Sequence, residues 1–134
     1  MPGYSFADYT PQVLDHFENP RNLGEVEDPE AAGRAGNAAC GDVMDLTLRV
    51  RDGRIEQARV RVTGCPAAIA SASITTVLLT GLTLKEAARV TNPQVAAALG
   101  GLPRAKLHCS VLAEEAILAA LESYQRRGPA RTGS

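Results

Sequence analysis

Apolar and polar residues alternate strictly from Met44 to Val50: Met44, Leu46, Leu48 and Val50 are apolar, and Asp45, Thr47 and Arg49 between them are polar. A period of two marks a strand with one buried face. A second run sets Ala58, Val60 and Val62 against Arg59, Arg61 and Thr63, with Asp52-Gly53 as the turn signal between the two runs. Together they predict a hairpin. Both apolar sets are even-numbered, so facing residues must sum to an even number, which a plain two-residue turn at Asp52-Gly53 does not supply. A longer loop or a bulge between Arg51 and Gln57 is therefore expected.

Elsewhere the period is helical. Thr10-Pro11 reads as an N-cap and first helical residue, and Val13, Leu14 and Phe17 form a stripe of two turns stopped by Asn19-Pro20. Residues 21–37 carry Gly24, Pro29, Gly33 and Gly36 without a period, and predict a loop with a short edge strand near its end. After Gly64-Cys65-Pro66 the chain turns to Ala, Ser, Ile and Leu through Leu79, a largely buried helix ended by Gly81. Thr83-Leu84-Lys85-Glu86 is a capping box, and Asn92-Pro93 caps a further helix that ends at Gly100-Gly101. A last helix spans about Leu107 to Arg126, with Ala113, Ile117, Ala120, Leu121 and Tyr124 on one stripe and Glu114, Glu115 and Glu122 off it. Strands early and helices late predict an α+β class, a small antiparallel sheet of about three strands with helices packed on one face.

Composition narrows the possibilities. A chain of 134 residues fits one domain, 1–134, with a core over 9–126 and a polar tail over 127–134. Fourteen basic and 15 acidic residues spread along the chain leave no electrostatic footprint for nucleic acid. The longest apolar run, Ala67 to Leu79, is broken by Ser71, Ser73, Thr75 and Thr76 and falls short of the ~20 residues of a membrane span. The first residues lack the layout of a secretory or organelle leader, so no membrane role and a cytoplasmic location are expected. Three cysteines cannot all pair, and a reducing cytoplasm does not hold disulfides, which turns attention to thiol or metal chemistry.

Each cysteine has a chemically suggestive neighbour. Cys40 and Asp42 flank Gly41 just before the first clear strand; on an extended path residues two apart face the same way, so thiol and carboxylate form a two-ligand arm. Cys65 stands where a strand ends and a helix begins, and an N-cap position favours its thiolate. His108 and Cys109 open the last helix and point about 100 degrees apart, so they flank one site without overlapping. Taken singly, a cysteine in an apolar domain is more often buried and inert, Asp42 suits a strand end, and His16 reads as a surface side chain. Taken together, the five residues match soft-ligand metal chemistry. They exceed the about four ligands of a structural zinc or of a two-iron cluster, and three thiolates fall short of the four expected of an electron-transfer ferredoxin.

At these residues the chain resembles the IscU/NifU family of iron-sulfur cluster assembly scaffolds. The matching segments are Asp15-His16-Phe17-Glu18-Asn19-Pro20-Arg21-Asn22, Ala39-Cys40-Gly41-Asp42, Gly64-Cys65 with Ala68-Ile69-Ala70-Ser71, and Lys106-Leu107-His108-Cys109-Ser110. The resemblance implies a SufE/NifU-like fold and a scaffold, not an enzyme. It implies a [2Fe-2S] cluster on Cys40, Cys65 and Cys109 with Asp42 and His108 lining the site, zinc in the cluster-free form, and Cys109 as first persulfide acceptor. The partners it implies are a cysteine desulfurase, apo iron-sulfur acceptor proteins, a ferredoxin, an iron donor, further copies of the chain, and a DnaK-class chaperone with its J-protein. Bacterial IscU proteins carry Leu-Pro-Pro-Val-Lys where this chain has Leu102, Pro103, Arg104, Ala105 and Lys106, so the partner segment matches at three of five positions. Pro66 stands where many members have Gly, and Ala72 interrupts a usually serine-rich stretch. The rival reading is a zinc-dependent sulfur-relay protein of the SufU type; such proteins have an insertion between the last two cysteine motifs and lack the His before the last Cys. Here residues 66–107 hold no extra segment and His108 is present. A purely structural zinc module fits less well, because the ligands are in surplus and one is an Asp.

Overall fold

The computed structural model describes residues 8–37 and 41–127, without the side chains of Asn37 and Arg127. The elements are α1 (Pro11–Glu18), β1 (Ala31–Asn37), β2 (Asp42–Arg51), β3 (Arg54–Thr63), α2 (Pro66–Leu79), α3 (Leu84–Ala87), α4 (Asn92–Ala98), a 3-10 turn (Arg104–Lys106) and α5 (Leu107–Arg127). The strands pair antiparallel in the order β1-β2-β3. Helix α5 lies against β1 and β2, α2 lies against β3, and α1 packs on α2. This is the expected α+β arrangement.

The β2–β3 hairpin resolves the parity problem with a bulge. Asp52 and Gly53 take φ of 55 and 74, the left-handed pair of a tight type I′ turn, and Arg51 faces Arg54 across it. Val50 then faces Ile55, but Arg49 faces Gln57, so Glu56 is the extra residue and the pairing sum changes from odd to even. Ile55 thereby reaches the core together with Ala58 and Val60. The outer edge of β3 is covered at Val60, which exchanges backbone hydrogen bonds with Asn22 and Gly24. On the outward face arginines meet carboxylates at Arg34–Asp45, Arg49–Glu30, Arg51–Glu56 and Arg61–Glu25, consistent with the balanced charge of the chain.

Strand β1 pairs along its whole length with β2, although it reads Ala-Ala-Gly-Arg-Ala-Gly-Asn. Glycine and alanine are poor strand formers by propensity. Their small size serves packing instead: a Cβ built at Gly33 would fall against the backbone of Ala116, Ala119 and Ala120, so α5 lies directly on the strand there. Ala31, Ala35, Ala113, Ala116 and Ala120 are buried around this contact. At the far end Ser123 Oγ accepts from the Ala32 amide at 3.0 Å.

Helix ends mostly follow their sequence signals. Thr10 caps α1 and accepts from the Val13 amide at 3.1 Å, Cys65 caps α2, and Thr83 and Glu86 close the capping box of α3. Helix α4 departs by one position, because Thr91 is its N-cap and not Asn92. Gln94 accepts from the Thr91 amide at 3.0 Å, while the Asn92 backbone and side-chain N–H groups both donate to Glu114 on α5 at 2.8 Å. His16 is also not the free surface residue expected. Its Nδ1 lies 2.8 Å from Ser73 Oγ on α2, the same oxygen that accepts from the Arg21 amide at 2.8 Å, and burial holds its pKa below the usual histidine value.

Gly33→Ala should destabilise the fold by about 1–3 kcal/mol, the usual cost of forcing atoms into a close-packed contact. Urea unfolding measures this; unchanged stability would mean that α5 does not rest on β1 as described.

Candidate metal centre

Three chain segments converge at one end of the sheet. The first residue of β2 is Asp42, whose side chain is 2% exposed. Beside it β3 runs out through Thr63, the partner of Val43, into Gly64 and Cys65. A Cβ at Gly64 would meet the Asp42 carboxyl carbon at 2.9 Å and the Ala68 Cβ at 3.0 Å, so glycine leaves the space that the carboxylate occupies. The third segment is the start of α5, where the 3-10 turn hands over to Leu107, His108 and Cys109.

Cys109 Sγ is the centre of the cluster. It lies 3.8 Å from Cys65 Sγ, 3.8 Å from Asp42 Oδ2 and 3.6 Å from His108 Nε2, and His108 Nε2 lies 3.4 Å from Asp42 Oδ2. Donor atoms of Asp42, His108 and Cys109 all fall within 4.8 Å of one another, a spacing that a metal ion can bridge. Cys109 is fully buried and Cys65 is half-buried. Asp42, Cys65, His108 and Cys109 are thus brought together in space. Cys40 lies outside the described residues. The extended path expected through Gly41 is not adopted, because Gly41 takes φ of 72, a left-handed turn conformation open to glycine.

The two thiols are electrostatically unequal. The hydrogen bond donated by Cys109 lowers the Cys65 pKa to about 5, with the N–H of Ala68 and the Lys106 cation adding to the effect against burial. The same pairing, then burial, pushes the Cys109 thiol up. The pairing thus favours negative charge on Cys65 and the proton on Cys109. Lys106 was assigned only to the partner segment by its sequence; its charge also acts on the thiol pair. The role of Gly64 was not read from the sequence either, although its place directly before Cys65 was the available signal. Of the partner segment, Leu102 packs against the core while Arg104 and Ala105 are exposed on the 3-10 turn.

Comparison with known proteins agrees with this arrangement. Residues 8–130 match the NifU-like N terminal domain family. "Iron-sulfur cluster assembly scaffold protein IscU 1" of Archaeoglobus fulgidus is 46% identical over 119 residues, 89% of this chain and 78% of that protein. "Iron-sulfur cluster assembly scaffold protein IscU" of Azotobacter vinelandii is 47% identical over 123 residues, 89% of this chain and 95% of that protein. The crystal structure of a nitrogen-fixing NifU-like protein (N-terminal) from Brucella abortus superposes with a TM-score of 0.72 at 18% identity, covering 92% of this chain and 98% of that one, and speaks for the fold alone.

In the metal-free chain iodoacetamide should modify Cys65 well ahead of Cys109, since one is a half-buried thiolate and the other a buried thiol. A lowered pKa shifts the rise in rate to low pH, so Cys65 modification should climb through about pH 5 and level off by neutrality. Peptide mapping across pH reads both; a Cys65 rate that keeps climbing to pH 9 contradicts the assignment.

Proposed function

This chain belongs to the NifU-like N-terminal domain family, and on that premise we propose that it is a scaffold on which iron-sulfur clusters are assembled and handed on. The observation that carries the reading is the convergence of a carboxylate, an imidazole and a second thiol on Cys109 Sγ within 4 Å, at the junction of sheet and helices. Thiolates are ligands for iron in such clusters, and the remaining oxygen and nitrogen donors complete the coordination with less commitment. Cys65 and Cys109 bind the iron of the cargo cluster, Cys40 is the third thiolate, and Asp42 and His108 compete for the last place. The cluster proposed is [2Fe-2S], and zinc takes the same donors when iron is absent.

Sulfur arrives as the persulfide of a cysteine desulfurase. In the proposed transfer Cys109 attacks the outer sulfur, a new S–S bond forms on Cys109, and the desulfurase thiolate leaves. Cys109 reacts as its thiolate, so it must first lose its proton. Apo iron-sulfur proteins receive the finished cluster, a ferredoxin and an iron donor supply electrons and iron, and residues 102–106 are the segment offered to a DnaK-class chaperone. Among the described residues no helix is long and apolar enough to cross a membrane.

Anaerobic incubation with iron, cysteine and a cysteine desulfurase should develop the visible charge-transfer bands of a [2Fe-2S] cluster that moves to an apo-ferredoxin. Zinc binding with onward transfer of persulfide, and no cluster, would favour the sulfur-relay reading instead. Asp42→Ala should slow cluster loss by roughly threefold or more, about 0.6 kcal/mol or more on the barrier, because an exchangeable oxygen donor no longer competes at the site. Equal or faster loss, followed by the decay of the visible bands, removes Asp42 from release.

A further inference from the structure

The Cys65–Cys109 contact has a chemistry beyond shared ligation. Sulfur carried as a persulfide is at the oxidation level of elemental sulfur and must gain two electrons before it becomes the sulfide of a cluster. The two sulfur atoms stand 3.8 Å apart, Cys109 buried at the start of α5 and Cys65 half-buried at the N-cap of α2. Each is held by its own helix end, and the two helices pack against one another. Closing that gap by about 1.8 Å reaches an ordinary disulfide bond of ~2.0 Å.

We propose that Cys65 is the resolving cysteine of this site, releasing sulfide from a persulfide on Cys109 by forming a Cys65–Cys109 disulfide. The proposal rests on the scaffold reading, in which Cys109 takes up sulfur. Cys65 sulfur attacks the inner sulfur, Cys109 Sγ; the bond between Cys109 Sγ and the outer sulfur breaks, and the outer sulfur leaves with its proton as hydrosulfide. The two protein thiols supply both electrons, so they end as a disulfide while the sulfane sulfur ends as sulfide. Cys109 Sγ, the inner sulfur, is the atom 3.8 Å from Cys65 Sγ, and attack on it releases sulfide where attack on the outer sulfur would pass the persulfide on. A dithiol or a ferredoxin-type electron donor then reopens the disulfide and returns both ligands to the site.

The release can be followed with metal-free chain loaded by a cysteine desulfurase and cysteine, with excess substrate removed and no reductant added. The wild-type chain should release one sulfide per chain and become lighter by two hydrogen atoms, with Cys65 and Cys109 joined in the peptide map. Cys65→Ser should keep the added sulfur on Cys109 and release sulfide at least about tenfold more slowly. A wild-type chain that retains its persulfide, a map that joins Cys40 to Cys109, or equal sulfide release from Cys65→Ser overturns the proposal. Normal loading of Cys109→Ser by the desulfurase would instead overturn the acceptor role of Cys109. If the desulfurase loads nothing, the scaffold reading loses its sulfur step, and inorganic polysulfide applied to the same two proteins still decides between disulfide and retained persulfide.

Discussion

Helix α5 rests on β1 backbone to backbone, and the position of His108 and Cys109 against the other ligands depends on that seating. Gly33 leaves no atoms between strand and helix, and Ala31, Ala35, Ala113, Ala116 and Ala120 keep the surroundings equally thin. Close packing of this kind tolerates little added volume. It also sets where the first turn of α5 falls. With the middle of the helix on Gly33, its start reaches the end of the sheet where β2 begins and β3 gives way to α2, and Cys109 arrives beside Asp42 and Cys65.

The electrostatics of the site follow from that crowding. A carboxylate at 2% exposure and a fully buried thiol are costly to charge without partners. They share what is available: His108 lies against Asp42 and Cys109, and Cys109 keeps a proton that it offers to Cys65. The hydrogen bond from Cys109, helped by the Ala68 N–H in the first turn of α2 and by the Lys106 cation, makes Cys65 the place where negative charge is held. A set of donors that compensate one another in this way is suited to accept iron and to give it up, because removing a metal leaves groups that can pair among themselves.

The elements were largely legible. Alternation drew β2 and β3, parity called for a longer loop or a bulge between Arg51 and Gln57 and the structure has the bulge at Glu56, capping signals drew α1, α2 and α3, and an apolar stripe drew α5. Helix α4 slipped by one residue although Thr91 and Gln94 form a local capping box, while the engagement of Asn92 by Glu114 comes from a distant helix that local chemistry does not contain. The full length of β1 was hidden for a similar reason, since its alanines and glycines suit the helix above them and carry no strand pattern. His16 looked like a surface residue, and only the docking of α1 on α2 supplies Ser73 as its partner.

The sequence by itself determined the chemistry of this protein: which donors exist, that three thiols cannot all pair, and that Cys65 caps a helix. These are properties of residue type and near neighbours, which spacing reveals. Tertiary structure decided which donors meet and how unequal they are. The 3.8 Å between Cys65 and Cys109, the burial of Asp42 against Gly64 and the opposite shifts of the two thiols arise from segments far apart in the chain. Distances across that separation are fixed by how closely α5 and α2 pack on the sheet, and no local pattern encodes them.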